Sequence, residues 1–274
     1  ESLIPFAAGH ELIRQKKRRL TLIGPISDIL FDQIIGAGCV RKIMAAWVGN
    51  VITGSCYNFR RAVEGGHLAV EDHSNLTLAM ALRAGAMGVP FMPARTALGS
   101  DLFKTNSRLK TMTCPFSGDT LTAVAALKPD ASIVHLQRAD EFGNAHAWGN
   151  LGLTRDACLA SRRIIITAEE IVDPDIISRD PNRVITPGYR VNAVAHAPWG
   201  GHPSPVPGYY NRDHQRFLDY RNESKTQDAF FNWRKRWVDG IHNWQDYTRL
   251  LGDQRMAELA IQHHDFSEPV DYGY

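Results

Sequence analysis

Between residues 20 and 172 the chain switches repeatedly from short apolar runs to stretches of helical length, and this alternation restricts its fold more than any other feature. LTLIG (20–24) reads as a buried strand and SDILFDQIIGAG (27–38) as a helix that ends in glycines. KIMAAWVGN (42–50) is strand-like again, and YNFRRAVEGG (57–66) reads as a short helix. LAVEDHS (68–74) predicts a strand running into a helix N-terminus, where Glu71 and Asp72 would complement the helix dipole. NLTLAMALRAGAMGV (75–89) is apolar on nearly every face, which predicts a buried helix. ASIVHLQRAD (131–140) and RRIIITAEEIV (162–172) are further strand signals, the second passing directly into a helix start. Alternation at this spacing predicts an α/β fold: an open, mostly parallel sheet with helices on both faces.

The 274 residues suffice for one large α/β domain, and 44% hydrophobic against 22% charged residues builds a full core. A formal charge of +2 gives no reason to expect nucleic acid or a membrane surface as partner. Cys39, Cys56, Cys114 and Cys158 are widely spaced with no CxxC pair, so neither a zinc site nor a disulfide framework is expected, and a reducing cytoplasmic setting is. No apolar run approaches the roughly 20 residues that span a bilayer, and no secretory signal is visible. The chain opens at Glu1 without methionine, so a further N-terminal piece is expected. From about residue 196 glycine, proline and tyrosine dominate, and then charge rises. DAFFNWRKRWVDGIHNW (228–244) sets Phe230, Trp233, Trp237 and Ile241 on one helical stripe, predicting a helix that docks on the sheet or on a partner. The expected organisation is a single domain over 1–274, with 196–274 as a C-terminal loop-plus-helix extension.

Nucleotide fingerprints, a GxSxG elbow and HExxH are all missing, and GAGC (36–39) reads as a helix end. His135 and His146 flank LQRADEFGNA, which reads as strand, tight turn and strand; if that hairpin forms, the two rings would approach near its base. His196 and His202 lie six apart, which suits no standard zinc spacing, so no metal is expected. His202, inside GGHPSP, has small neighbours that should leave its ring accessible. The adjacent pairs Glu71–Asp72, Asp140–Glu141 and Glu169–Glu170 point apart on a strand and form no ready acid/base pair. RKR (234–236) reads as a solvated helix face. Three small-polar stretches are more suggestive: WVGNVITGSCYN (47–58), TALGSDL (96–102) and Ser74–Asn75 each follow a strand-like run. In a parallel sheet such loops gather along one edge, where ligands bind, so Asn50, Ser55, Asn75 and Ser100 are candidates for contacting a small acyl or carboxylate group.

Five strings carry a resemblance to a known family: AGAMGVPFMPARTALGSDL (84–102), SIVHLQRADEFGNAHAWG (132–149), TAEEIV (167–172), APWGGHPSPVPGYYNRD (197–213) and ESKTQDAF (223–230). In this order they resemble the α (A) subunit of glutaconate CoA-transferase-like, family I CoA-transferases, over about residues 20–250. The resemblance implies the open α/β fold shared by CoA-transferases and ribose-5-phosphate isomerase, an αβ heterodimeric unit often paired into a tetramer, and coenzyme A as co-substrate with no permanently bound cofactor. It implies a glutamate nucleophile on the β subunit, in a Ser-Glu-Asn-Gly type motif that this chain lacks, so no catalytic residue is expected here. The substrates implied are an acyl-CoA and a small carboxylic acid. The family's substrate-carboxylate serine falls at Asn50, counting back from FRR, and Asn75 falls where a steroid ring-opening hydrolase carries a glutamate. Substrate-binding residues expected on this basis are Asn50, Ser55, Asn75, Gly99, Ser100 and His202. Two further readings use the same fold: an acyl-CoA hydrolase, including the ring-opening type, and a non-catalytic assembly subunit.

Overall fold

Strands Leu20–Ile23, Val40–Ala45 and Ala69–Asp72 pair in that order and all run parallel, because the helices Asp28–Gly36 and Tyr57–Glu64 carry the chain back between them. This is seen in a computed structural model, which describes residues 2–26 and 28–261. A second parallel set joins Ala131–Ala139, Arg163–Ile171 and Ala193–His196, with the short strand Ala145–His146 returning antiparallel beside the first of them. The α/β class read from the alternation is therefore present, as two parallel sheets flanked by helices.

Residues 91–125 differ. Phe91–Ala94, Thr120–Ala125 and Leu109–Thr113 form an antiparallel sheet in that order. FMPA is short and proline-bearing, TLTAVA and LKTMT interleave threonine with apolar residues, and much of each strand is half-buried or exposed, so no long apolar run marks them.

Three expectations need correction. Leu20–Ile23 is half-buried, because it is the outer strand of its sheet. Helix Asn75–Met87 buries one face, through Thr77, Leu78, Ala81, Leu82, Ala84 and Gly85, while Leu76 and Met87 stay 53% and 60% exposed. Its alanines and glycine serve close approach: a Cβ on Gly85 would overlap the Leu127 carbonyl. Finally, no helix starts at Glu169; the strand runs on to Ile171 and the next helix is Pro174–Ser178.

After the second sheet the chain turns back to cover the first. Helices His214–Glu223, Gln227–Arg234, Trp244–Leu251 and Asp253–Leu259 follow, the second continuing through a π turn at Lys235–Asp239. Phe230, Trp233, Trp237 and Ile241 are buried together with Phe217, Tyr220 and Tyr247. They share one core with Ile29, Ile34 and Ile43 and with Phe6 and Ile13 of the N-terminal helix Phe6–Arg14. The aromatic stripe thus docks on the first sheet, and Lys235 and Arg236 stay exposed. Residues 262–274, the end of the expected extension, lie outside the described residues.

Candidate functional site

Parallel strands deliver their loops to one edge, and at the first sheet these are residues 24–26 with Asp28, 46–56 and 73–75. The loops are tied together by backbone: Ala46 and Trp47 donate to the Pro25 carbonyl at 3.0 and 3.1 Å, and His73 donates to the Ala45 carbonyl at 3.0 Å. After Val40–Ala45 the chain makes a small hairpin in which Gly49 pairs with Ser55 and Asn50 with Gly54. Ser55 thus pairs with the residue before Asn50 and faces the opposite side of the hairpin, and Asn75 opens the helix that follows the neighbouring strand.

The candidates differ in what they leave free. Asn50 is fully buried. Its Nδ2 donates to Asp28 Oδ1 at 3.0 Å and its Oδ1 accepts the Ile52 N–H at 2.9 Å. Ser55 and Asn75 are exposed. Beside Asn75, Ser74 caps the helix: its Oγ accepts the Thr77 N–H at 3.0 Å, and Thr77 Oγ1 accepts the Ser74 N–H at 2.9 Å. Gly99 and Ser100 are exposed and follow an antiparallel strand, so they do not lie at a parallel strand end as expected. Their segment reaches the first sheet farther along, where Asn106 Nδ2 donates to the Asp72 carbonyl at 2.7 Å. Ile26, Trp47, Val51, Ile52, Leu76 and Leu98 add exposed apolar surface around these loops.

His202 overturns the expectation of an accessible ring. The ring is wholly buried, with Nδ1 2.7 Å from Tyr247 Oη and Nε2 3.0 Å from Asp213 Oδ2. Its small neighbours let other elements close over it, and burial lowers its pKa although Asp213 opposes the shift. Burial pushes the Asp213 carboxyl up, but the bonds from His202 and Arg255 outweigh it and hold the group far below the usual range.

The histidine hairpin forms, yet its rings do not meet. His146 pairs in register with Arg138 and bonds the Ile177 carbonyl at 3.0 Å, whereas His135 lies 2.9 Å from Thr167 Oγ1 and 2.7 Å from Glu169 Oε1. Among the described residues no cluster of three or more His, Cys, Asp or Glu could hold a metal.

The strand glutamates are committed. Glu71 bonds Lys42 at 2.6 Å, Arg108 at 3.0 Å and His73 at 3.0 Å; burial raises its pKa, but these partners win and leave it lowered. Glu169 accepts Tyr210 Oη at 2.6 Å and the Trp199 N–H at 2.7 Å as well as meeting His135, and Glu170 accepts Arg138 at 3.1 Å. The Cys56 thiol, at the hairpin's foot, is pushed up strongly by burial and then by Asp32 and Asp28, which removes it as a nucleophile. What the edge offers is hydrogen-bonding groups and apolar surface, suited to recognising a ligand. Asp28 and Arg212, which brace this edge from behind, carry no mark in the sequence. Asp28 lies just past the first strand and Arg212 belongs to the 197–213 block, but nothing in their spacing links them.

An open α/β protein with an exposed edge of strand-end loops is the class this geometry defines. Within it, residues 2–197 match the model of the coenzyme A transferase family, and the chain belongs to that family. It is 40% identical over 254 residues, 92% of this chain and 89% of the other, to the A-subunit of 3-oxoadipate CoA-transferase from Pseudomonas knackmussii. It is 32% identical over 274 residues to the A-subunit of glutaconate CoA-transferase from Acidaminococcus fermentans, covering 94% and 86% of the two chains. The crystal structure of glutaconate coenzyme A-transferase from that organism superposes with a TM-score of 0.91 at 31% identity, covering 97% of this chain and 89% of the other. The cholesterol ring-cleaving hydrolase IpdA subunit of Rhodococcus jostii is 29% identical over 263 residues, 90% of this chain and 86% of that one. Among the described residues no helix is long and apolar enough to cross a membrane.

Proposed function

We propose that this chain is the A (α) subunit of a heteromeric CoA-transferase that moves CoA between an acyl-CoA and a small organic acid. The observation that carries the proposal is an open edge on the first sheet together with strand glutamates that are taken on both sheets: Glu71 on the first, and Glu169 and Glu170 on the second, are held by neighbouring donors. The nucleophile then comes from a β subunit seated against this edge. A glutamate oxygen of that partner attacks the thioester carbonyl and CoA leaves as thiolate, giving an acyl–glutamyl anhydride. The thiolate attacks the glutamyl carbonyl, the acyl carboxylate departs, and a glutamyl-CoA thioester remains. An acceptor acid runs the same two steps in reverse. Backbone N–H groups stabilise each tetrahedral oxyanion.

This chain's share is recognition of the acyl group by the loops that bear Asn50, Ser55, Asn75, Gly99 and Ser100. His202, buried against Tyr247 and Asp213, acts by holding the 197–213 loop in place rather than by touching the acid. CoA enters as co-substrate and no resident cofactor is needed. The two transferase relatives are named for dicarboxylic acids, 3-oxoadipate and glutaconate, so dicarboxylates head the acceptor panel. All four cysteines are free thiols, consistent with work in the cytoplasm.

The likeness to the IpdA subunit, named as part of a cholesterol ring-cleaving hydrolase, supports a hydrolase on the same fold, of the acyl-CoA or ring-opening type, as a second reading. Co-production with the β partner, followed by incubation with an acyl-CoA donor and a panel of acids, decides between them. Mass detection of CoA on the added acid, and of the glutamyl-CoA adduct on the partner, is expected; free acid and free CoA alone would overturn transfer.

A further inference from the structure

Asp28 is an unusual residue to find at a ligand edge. Its carboxylate is fully buried, and its backbone takes φ +49°, a left-handed value that residues other than glycine seldom adopt. Its hydrogen bonds fix it in place. Oδ1 accepts the Ile29 N–H at 2.6 Å and Asn50 Nδ2 at 3.0 Å, while Oδ2 faces Arg212 Nη2 at 3.3 Å. Arg212 is itself fixed, its guanidinium lying 4.6 Å over the Phe217 ring and only 13% of its side chain exposed. From Asp28 the chain of contacts continues through Asn50 Oδ1 to the Ile52 N–H, in the middle of the hairpin turn.

Asn50 is thus spent inside the protein: its carbonyl oxygen holds the turn and one amide hydrogen holds Asp28. A direct grip on a substrate carboxylate falls instead to the exposed groups the turn presents, Ser55 and the backbone around it. Arg212 lies in the 197–213 loop, which is anchored on the second sheet by Trp199. The same contacts therefore connect the two sheets to one hairpin.

We infer that the Arg212–Asp28 pair is a positioning device: through Asn50 it sets the shape of the 51–54 turn, and thereby the affinity for the acid. This rests on the transferase reading above. The pair matters because Arg212 supplies positive charge beside a fully buried carboxylate, and Asp28 supplies the acceptor that orients the Asn50 amide toward the Ile52 N–H.

Two readouts test it, one of them independent of activity. Amide hydrogen exchange at Ile52 is expected to quicken about tenfold in Arg212→Gln and in Asp28→Ala, with the 40–45 strand amides unchanged. In the complex with the β subunit, Arg212→Gln is expected to raise KM for the acid about tenfold with kcat within about twofold, and Arg212→Lys to recover most of it. Unchanged Ile52 exchange in both variants would overturn the positioning role. So would a loss in kcat matched by a fall in melting temperature, with KM and Ile52 exchange unmoved. A wild-type complex that transfers no CoA would overturn the transferase reading, and the exchange arm would still report on the pair.

Discussion

The two parallel sheets are built alike, by crossovers that return each strand in the same direction, but their strand ends meet different surroundings. At the first sheet the loops leave Val51, Ser55 and Asn75 exposed. At the second, the 197–213 loop folds back over the strand ends, and Glu169 gathers His135, Tyr210 and the Trp199 N–H into a buried cluster. Trp199 stacks on Tyr210 with ring centres 4.2 Å apart, and a Cβ on Gly200 would come within 2.8 Å of the His135 ring. Fold topology alone therefore does not make a site. The loop that follows the last strand decides which edge stays open, and here a glycine- and proline-rich loop seals one of the two.

The sharpest way to break this contrast is at Glu169. Glu169→Ala would strand His135, the Tyr210 hydroxyl and the Trp199 N–H in the interior, and is expected to cost about 3–5 kcal/mol. The denaturant midpoint reads this directly. A loss below about 1 kcal/mol would mean that the second edge is not sealed by the cluster.

Acid should act on the covered side of the first sheet next. His10 is buried beneath the C-terminal helices, bonded to Gln33 at 2.9 Å. Burial lowers its pKa from 6.5 to about 4, with Gln33 partly opposing. In that interval the unfolded chain binds a proton that the native state refuses, so stability falls as pH drops from 6.5 toward 4. The contribution lost is at most about 3 kcal/mol. Replacing His10 by Gln should flatten that slope; an unchanged slope would place the acid-sensitive group elsewhere.

Most of the parallel strands are legible in the sequence because an apolar run alternates with helical stretches, as at Arg163–Ile171, whereas the four-residue Ala193–His196, which runs into a loop, carries no such signal. The antiparallel insert is not legible, since its threonines alternate too weakly to declare a buried face. At the candidate edge, Asn50 and Ser55 stand out as small polar residues after a strand. Their division of labour does not, because it depends on Asp28 and Arg212, which are 184 residues apart. His202 misleads for a related reason: small neighbours signal room, and only the tertiary fold tells whether solvent or Tyr247 fills it.

A smaller effect separates two adjacent residues at the open edge. Ser74→Ala removes the side-chain acceptor for the Thr77 N–H, one half of the capping box, and leaves the bond from the Ser74 N–H to Thr77 Oγ1, at about 1 kcal/mol by thermal unfolding. Losing no stability would mean that the helix start is held by its packing rather than its cap.

Asn75 should show the smallest stability change and the clearest functional one. It is exposed, and its neighbour already caps the helix. Asn75→Ala and Ser55→Ala, singly or together, are therefore expected to shift stability by less than about 0.5 kcal/mol. If these groups meet the acid, the same variants raise its KM, because only the ligand loses a partner. A double variant that unfolds more easily by about 1 kcal/mol or more would show that the first edge is braced by these side chains, and the contrast between the two sheets would shrink accordingly. A double variant of unchanged stability and unchanged KM would keep the edge open but move recognition onto the 96–101 segment, where Ser100 is exposed and Gly99 holds φ +76°.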